Sequence, residues 1–325
     1  MKITASFLQH FRKEFIFPSK DVTHFFPQHM AKGLNKMQRT LATVDYVIEV
    51  HDAMIPLSGR NRQFKETLAV RPHLLILNKM DLTDLKYKRN VIQRLKANQG
   101  VQEVVYTNCK QEKSGTVKTL LIPKLTEVLM GTARFHREGL DHYNILIIGL
   151  PNVGKSSLIN AMRHLHSGKG KATPVGPHAG VTRSVLEKIK VSHSPLIYVY
   201  DTPGIMMPNI EDMDVGMKLA LCGTLTDHLV GYDMIVDYLL FWLNSHGYFK
   251  YVKYFNLSQP TDDIFQFLSN VAKLYNVVEK RKSPSGEYVY KPNFDLAAKY
   301  VLRAFREGQL GCYNLDEDIV QSVTN

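Results

Sequence analysis

Short apolar runs alternate with longer stretches of helical periodicity through the first two-thirds of the chain. Six of the runs read as strands: Tyr46–Val50, Leu74–Leu77, Val104–Tyr106, Ile145–Ile148, Leu186–Val191 and Ile197–Tyr200. Most are flanked by helix-compatible stretches such as Tyr87–Ala97 and Lys155–Arg163. That alternation predicts an α/β fold, a largely parallel six-stranded sheet covered on both faces. After Pro208 the pattern changes. Stretches 211–222, 229–245, 261–275 and 294–307 carry apolar residues at three-to-four spacing, among them Ile235, Leu239, Trp242 and Leu243, then Leu296, Tyr300 and Phe305. Thr261, ahead of Asp262 and Asp263, reads as a helix start. The expected organisation is a sheet domain over 21–207 and a mainly helical domain over 208–325. Between Arg163 and Arg183 the chain is rich in Gly, Lys, His and Pro and reads as a loop. In residues 1–20, Phe7, Leu8, Phe11 and Phe15 fall at helical spacing among Lys2, Arg12, Lys13 and Lys20, with Glu14 the one acid. Such an amphipathic, basic start fits a mitochondrial targeting segment.

Composition narrows the class. A chain of 325 residues with 44% hydrophobic content can bury a real core and suits two domains. No apolar run approaches the roughly 20 residues that span a bilayer. Cys109, Cys222 and Cys312 are scattered, which makes neither a disulfide framework nor a zinc pair and suits a reducing interior. The net charge of +11 has a location: residues 1–204 hold 30 Lys and Arg against 15 Asp and Glu, whereas residues 205–325 hold 11 against 15. Within the remainder, Val271 to Arg306 is locally basic, with Lys273, Lys280, Arg281, Lys282, Lys291, Lys299, Arg303 and Arg306 against Glu279, Glu287 and Asp295. A sustained excess of this kind points to a polyanion, because phosphate binding is driven by counterion release from many contacts.

Gly149-Leu-Pro-Asn-Val-Gly154-Lys155-Ser156 follows a strand-like run and opens a helix-like one. This is the complete phosphate-loop pattern in its required context. Backbone N–H groups of Asn152, Val153, Gly154, Lys155, Ser156 and Ser157 would surround the phosphates, Lys155 would reach the β- and γ-phosphates, and the Ser156 hydroxyl would ligate Mg²⁺. Asp201-Thr-Pro-Gly204 ends another strand; Asp201 would hold Mg²⁺ through water, and the Gly204 N–H would sense the γ-phosphate. Thr182 offers a second hydroxyl ligand. Asn78-Lys79-Met80-Asp81 also follows a strand, and an aspartate there can accept from both N1–H and N2–H of guanine. Three such motifs at strand ends indicate a GTP site.

Their order is unusual, since Asn78 lies 71 residues before Gly149 and no second copy follows. A circular permutation accounts for it. Together with Phe25-Phe-Pro-Gln-His-Met-Ala-Lys32, Asp52-Ala-Met-Ile-Pro56 and Ser58-Gly-Arg-Asn61, the chain resembles the YlqF-type circularly permuted GTPases, the kin of bacterial ribosome biogenesis GTPase A. The resemblance spans nearly the whole chain. It implies a P-loop GTPase domain with permuted motif order, followed by a helical domain that contacts ribosomal RNA, and a role in assembling the large ribosomal subunit. With the targeting segment, the expected setting is the mitochondrial matrix, with peripheral inner-membrane contact, a monomeric chain, and the mitochondrial large subunit and its rRNA as partners.

Ile205 stands where Ras-like GTPases carry a water-orienting Gln, so hydrolysis is expected to be slow alone and stimulated by the ribosome. The family motif makes His29 the catalytic candidate, although Gln28 replaces the Gly usual before it. Asn152 matches the phosphate-loop Asn that helps bind K⁺ in related GTPases. Thr107-Asn-Cys-Lys110 replaces a common Ser-Ala-Lys behind the base. Three readings compete: a ribosome-activated mitochondrial assembly GTPase, a nucleotide-gated RNA-binding scaffold with incidental hydrolysis, and a cytosolic or nucleolar assembly GTPase.

Overall fold

The computed structural model describes residues 11–17, 40–41, 43–60, 71–110, 115–132, 134, 137–167, 188–202, 212–282 and 288–322. His29, Thr182, Gly204 and Ile205 lie outside the described residues.

The larger unit comprises residues 26–225 together with 312–325. Among its described residues are six strands, β1 (Tyr46–Asp52), β2 (His73–Asn78), β3 (Glu103–Tyr106), β4 (His142–Gly149), β5 (Lys188–His193) and β6 (Leu196–Asp201), ordered β3-β2-β1-β4-β6-β5. Every pairing is parallel except the edge pair β5–β6. The central strands are buried on both faces, as a sheet with two covered faces requires. Helix α1 (Lys88–Gln99) places Val91 and Leu95 on Leu75 and Leu77 of β2. Helix α2 (Ile122–Gly131) is entered through a π-helical stretch, Val117–Leu121, and α3 (Lys155–Ser167) packs on β4, β5 and β6. The sequence pattern did not single out 115–131. Helix α4 (Met213–Leu221) completes this unit before the helical one begins.

The second unit, residues 1–25 with 226–311, contains α5 (Asp227–Val230), α6 (Tyr232–Ser245), α7 (Lys250–Tyr254), α8 (Ile264–Leu274) and α9 (Phe294–Arg306). Helices α6, α8 and α9 pack together around buried Tyr238, Trp242, Phe267 and Phe305. Helix α8 starts at Asp263, whose carboxylate accepts from the N–H groups of Phe265 and Gln266, while the Thr261 hydroxyl accepts from Asp263 N–H. The start therefore lies two residues beyond Thr261.

Three expectations are revised. The boundary after residue 207 moves to 225/226, and residues 312–325 rejoin the sheet unit, because Leu315, Asp316 and Val320 bury themselves there. Residues 226–311 then carry 10 Lys and Arg against 9 Asp and Glu, near neutrality rather than an acidic excess. The helical unit also contains a hairpin of β7 (Val278–Lys282) and β8 (Tyr288–Pro292). Finally, residues 11–17 are not helical. Arg12 there ion-pairs with Asp237 at 2.7 Å and Asp262 at 3.0 Å, and Phe15 packs on Tyr238 and Phe241, so tertiary partners replace the helical register.

Candidate functional site

The parallel strands bring their carboxyl ends to one edge of the sheet. Asp52 pairs with Asn78, Val50 with Gly149, and Ile147 with Asp201, so three motifs far apart in sequence end in line. Ligands of open α/β sheets bind at such an edge.

The loop after β4 is shaped by its two glycines. Gly149 has φ of 151°, and a Cβ there would lie 2.2 Å from the Val50 carbonyl. Gly154 has φ of 100°, and a Cβ there would meet the Asn78 amide at 2.2 Å. Both positions therefore need glycine for space as well as for dihedral freedom. The Lys155 ammonium is buried and donates to the carbonyls of Gly149 at 3.2 Å and Leu150 at 2.8 Å. Burial pushes its pKa down to about 8, against the opposing pull of Asp201. Lys155 opens α3, whose N-terminal N–H groups carry partial positive charge.

The Ser156 hydroxyl lies 3.4 Å from Asp201 Oδ2, with Asp201 itself buried. A hydroxyl and a carboxylate converging beside a phosphate loop form an oxygen donor set that fits Mg²⁺. No cluster of three or more His, Cys, Asp or Glu suited to a metal occurs among the described residues. The Asn152 backbone is left-handed at φ 58°, and its side-chain amide donates to the Gly223 carbonyl at 2.7 Å.

Asn78 is buried and joins three loops. Its amide donates to the Val153 carbonyl at 2.9 Å, and its Oδ1 accepts from the Thr107 hydroxyl at 3.1 Å and the Cys109 N–H at 3.2 Å. The Met80 N–H donates to the Thr107 carbonyl at 3.0 Å, so Thr107-Asn-Cys-Lys110 backs the Asn78–Asp81 loop. Burial pushes the Cys109 thiol up to about 12, which keeps it protonated and inert. Lys79, left-handed at φ 61°, places its ammonium 2.6 Å from Asp52 Oδ2. The Asp81 side chain is exposed.

Sequence motifs alone did not assign a structural part to Asp52 or Arg60. Asp52 is fully buried, accepts from Met54 N–H at 3.0 Å and holds Lys79. Arg60 forms a buried fork to Glu49, at 2.9 and 2.5 Å, which ties Ser58-Gly-Arg60 to β1. A buried carboxylate in the middle of an apolar strand was the signal that a cation had to meet it.

Residues 144–254 match the family described as 50S ribosome-binding GTPase. The chain is 48% identical over 308 residues to mitochondrial ribosome-associated GTPase 1 of Xenopus tropicalis, covering 94% of this chain and 98% of that one. It is equally 48% identical over 313 residues to the protein of the same name from Bos taurus, covering 95% and 93%. Among solved structures, the GNP-bound YlqF of T. maritima superposes with a TM-score of 0.54 at 20% identity, covering 86% of this chain and 95% of that one, a likeness of fold.

Proposed function

The chain belongs to the mitochondrial ribosome-associated GTPase 1 family, and from that premise we propose that it is an assembly factor for the mitochondrial large ribosomal subunit that binds rRNA in its GTP state and is activated by the ribosome. It is a GTPase of circularly permuted order, with the Mg²⁺ requirement general to that class. The observation that carries the reading is the convergence of Asn78, the Gly149–Ser156 loop and Asp201 at one sheet edge.

In this reading Lys155 exchanges its two carbonyl partners for the β- and γ-phosphates. Ser156, Asp201 and Thr182 hold Mg²⁺, which when bound spreads charge away from the transferring phosphoryl group. Asn78, Lys79, Met80 and Asp81 form the guanine site, with Asp81 reading the base. Val153, Gly154 and Ser157 complete the phosphate cradle, and Gly204 senses the γ-phosphate. Asn152 bears on K⁺, its side chain being fixed beside the loop. His29 positions the attacking water, the part that Ile205 lacks the chemistry to play.

Residues 26–225 with 312–325 hold 27 Lys and Arg against 19 Asp and Glu, an excess of 8 positive charges that supports rRNA contact by the GTPase unit itself. A second contact falls in Val271–Arg306. On one face of the β7–β8 hairpin, Lys280 stands opposite Tyr290 with its ammonium 3.9 Å over the Tyr288 ring, and Tyr288 and Tyr290 are 61% and 65% exposed. Exposed aromatic faces beside cations suit unpaired bases and their phosphates. The setting is the mitochondrial matrix and the acting species a monomer. Contact with the inner membrane is peripheral in this reading; no helix among the described residues is long and apolar enough to cross a membrane.

The deciding measurement is the GTPase rate of the full chain with purified mitochondrial and cytosolic large subunits. Stimulation by the mitochondrial subunit alone is expected. Stimulation by neither supports a scaffold with incidental hydrolysis, and stimulation by the cytosolic subunit moves the protein to another compartment.

A further inference from the structure

After the helical unit the chain returns to the GTPase unit and lies against the loop that carries the guanine motif. The Tyr313 N–H donates to the Leu82 carbonyl at 3.0 Å, and the Cys312 thiol donates to the Asp81 carbonyl at 3.1 Å. Leu315 N–H then donates to the Met54 carbonyl at 2.8 Å. The carboxylate of Asp316, fully buried, accepts from the N–H groups of Leu57 at 2.8 Å and Ser58 at 2.9 Å and from the Ser58 hydroxyl, with the Lys218 ammonium 4.0 Å away. The closing helix α10 (Glu317–Gln321) places Glu317 at 3.1 Å from the Tyr87 hydroxyl and buries Val320 with Leu75, Leu77 and Leu95.

We propose that residues 312–321 are a positioning element of the base pocket, fixing the direction of the Asp81 carboxylate and so the strength of guanine selection. The proposal rests on the reading of Asp81 as the guanine acceptor. A carboxylate can take two hydrogen bonds from one base edge only within a narrow range of angles. The Asp81 side chain is exposed, so packing does not set that angle; the backbone must. Apart from the tail, Asp81 is flanked by two bonds, Met80 N–H to the Thr107 carbonyl of the loop after β3 and Leu82 N–H to the Lys79 carbonyl at 2.9 Å. The tail adds the two that hold the peptide planes immediately after Asp81. Asp316 and Val320 give that clamp a rigid base, because the first is a buried, multiply bonded anchor and the second lies in the core.

Calorimetric titration of the full chain with GDP and with inosine diphosphate tests this. Inosine lacks the exocyclic amino group and forfeits one of the two bonds to Asp81. In Tyr313→Pro, which removes the donor to Leu82, the ratio of GDP to inosine diphosphate affinity should fall on the order of tenfold, the worth of one charge-assisted hydrogen bond. Asp316→Asn loosens the same clamp without altering the backbone, should lower the ratio in the same direction, and serves if Tyr313→Pro does not fold. A ratio equal to that of the unsubstituted chain overturns the proposal, whether both affinities hold or fall together, since a purely stabilising tail weakens both nucleotides alike. Asp81→Asn examines the underlying reading separately: it should gain affinity for xanthosine diphosphate with the tail intact. Absence of that gain overturns the assignment of Asp81, and the clamp with it.

Discussion

The side-chain amide of Asn78 donates to the carbonyl of Val153, 2.9 Å away and 75 residues later in the chain. Through its oxygen the same side chain also holds Thr107 and Cys109, so the Gly149–Ser156 loop and the loop after β3 share one buried anchor. Asn78→Ala leaves the Val153 carbonyl and the Thr107 hydroxyl without this partner. GTP and GDP affinities should fall together by about ten- to a hundredfold, at one to three kcal/mol for the lost bonds. Nucleotide titration checks this, and a selective loss of GTP over GDP would contradict it.

His29→Ala separates catalysis from binding. Nucleotide affinity should be unchanged while the subunit-stimulated rate drops about a hundredfold, the usual worth of a positioned acid–base or water-orienting group. GTP-bound protein should then accumulate on large subunits in gradient fractions. An undiminished rate removes His29 from the reaction.

Asp45 enters β1 and accepts from Asn144 N–H at 2.7 Å, Arg137 at 2.8 Å and Arg134 at 3.2 Å. Burial alone would raise its pKa, but these donors hold it below its ordinary 3.8. Because the folded value is depressed, the stabilisation is present above the unfolded value and is lost as pH falls through the folded one. Asp45→Asn should therefore cost about 1–3 kcal/mol at neutral pH, and the gap to the unsubstituted chain should close below about pH 4. Denaturant unfolding at both pH values decides it.

Arg12 clamps the N-terminal segment to Asp237 and Asp262 of the helical unit. The side chains are part-exposed, so solvent screens the pairs, and Arg12→Ala should cost about 1 kcal/mol of the helical unit's stability. Added salt should shrink the difference between the two proteins. A targeting segment cleaved beyond residue 17 would remove this clamp, so mass measurement of the mature protein bears on the same point.

The hairpin is expected to act on RNA and not on nucleotide. Tyr288→Ala and Tyr290→Ala should each weaken rRNA-fragment binding about tenfold, within the range for one stacked base, and leave GTP affinity unchanged. Lys280→Ala should flatten the salt dependence of binding as well. Equal binding by all three variants would exclude this face.

How much was legible beforehand follows from the range over which each feature is encoded. The strands from Tyr46 to Tyr200 and the long helices announce themselves by periodicity within a few residues. Phosphate loop, Asp201 and Asn78 motifs declare their chemistry in four to eight consecutive positions. The β7–β8 hairpin was hidden because lysines and tyrosines alternating on an exposed ribbon bury nothing and mimic a helix surface.

By itself, then, the sequence determined the reaction class and the order of the motifs, since both are properties of short consecutive stretches. It also pointed to a sheet that brings those motifs together, because short apolar runs alternating with longer helix-compatible stretches are the pattern of strands buried on both faces. Only the tertiary structure decided that Asn78 ties two loops, that Arg12 belongs to the helical unit, and that residues 312–321 return to grip Asp81 and Leu82. The physical reason is common to all three. Asp316 and Leu57 lie 259 residues apart, and a hydrogen bond across that distance leaves no periodic trace in either segment.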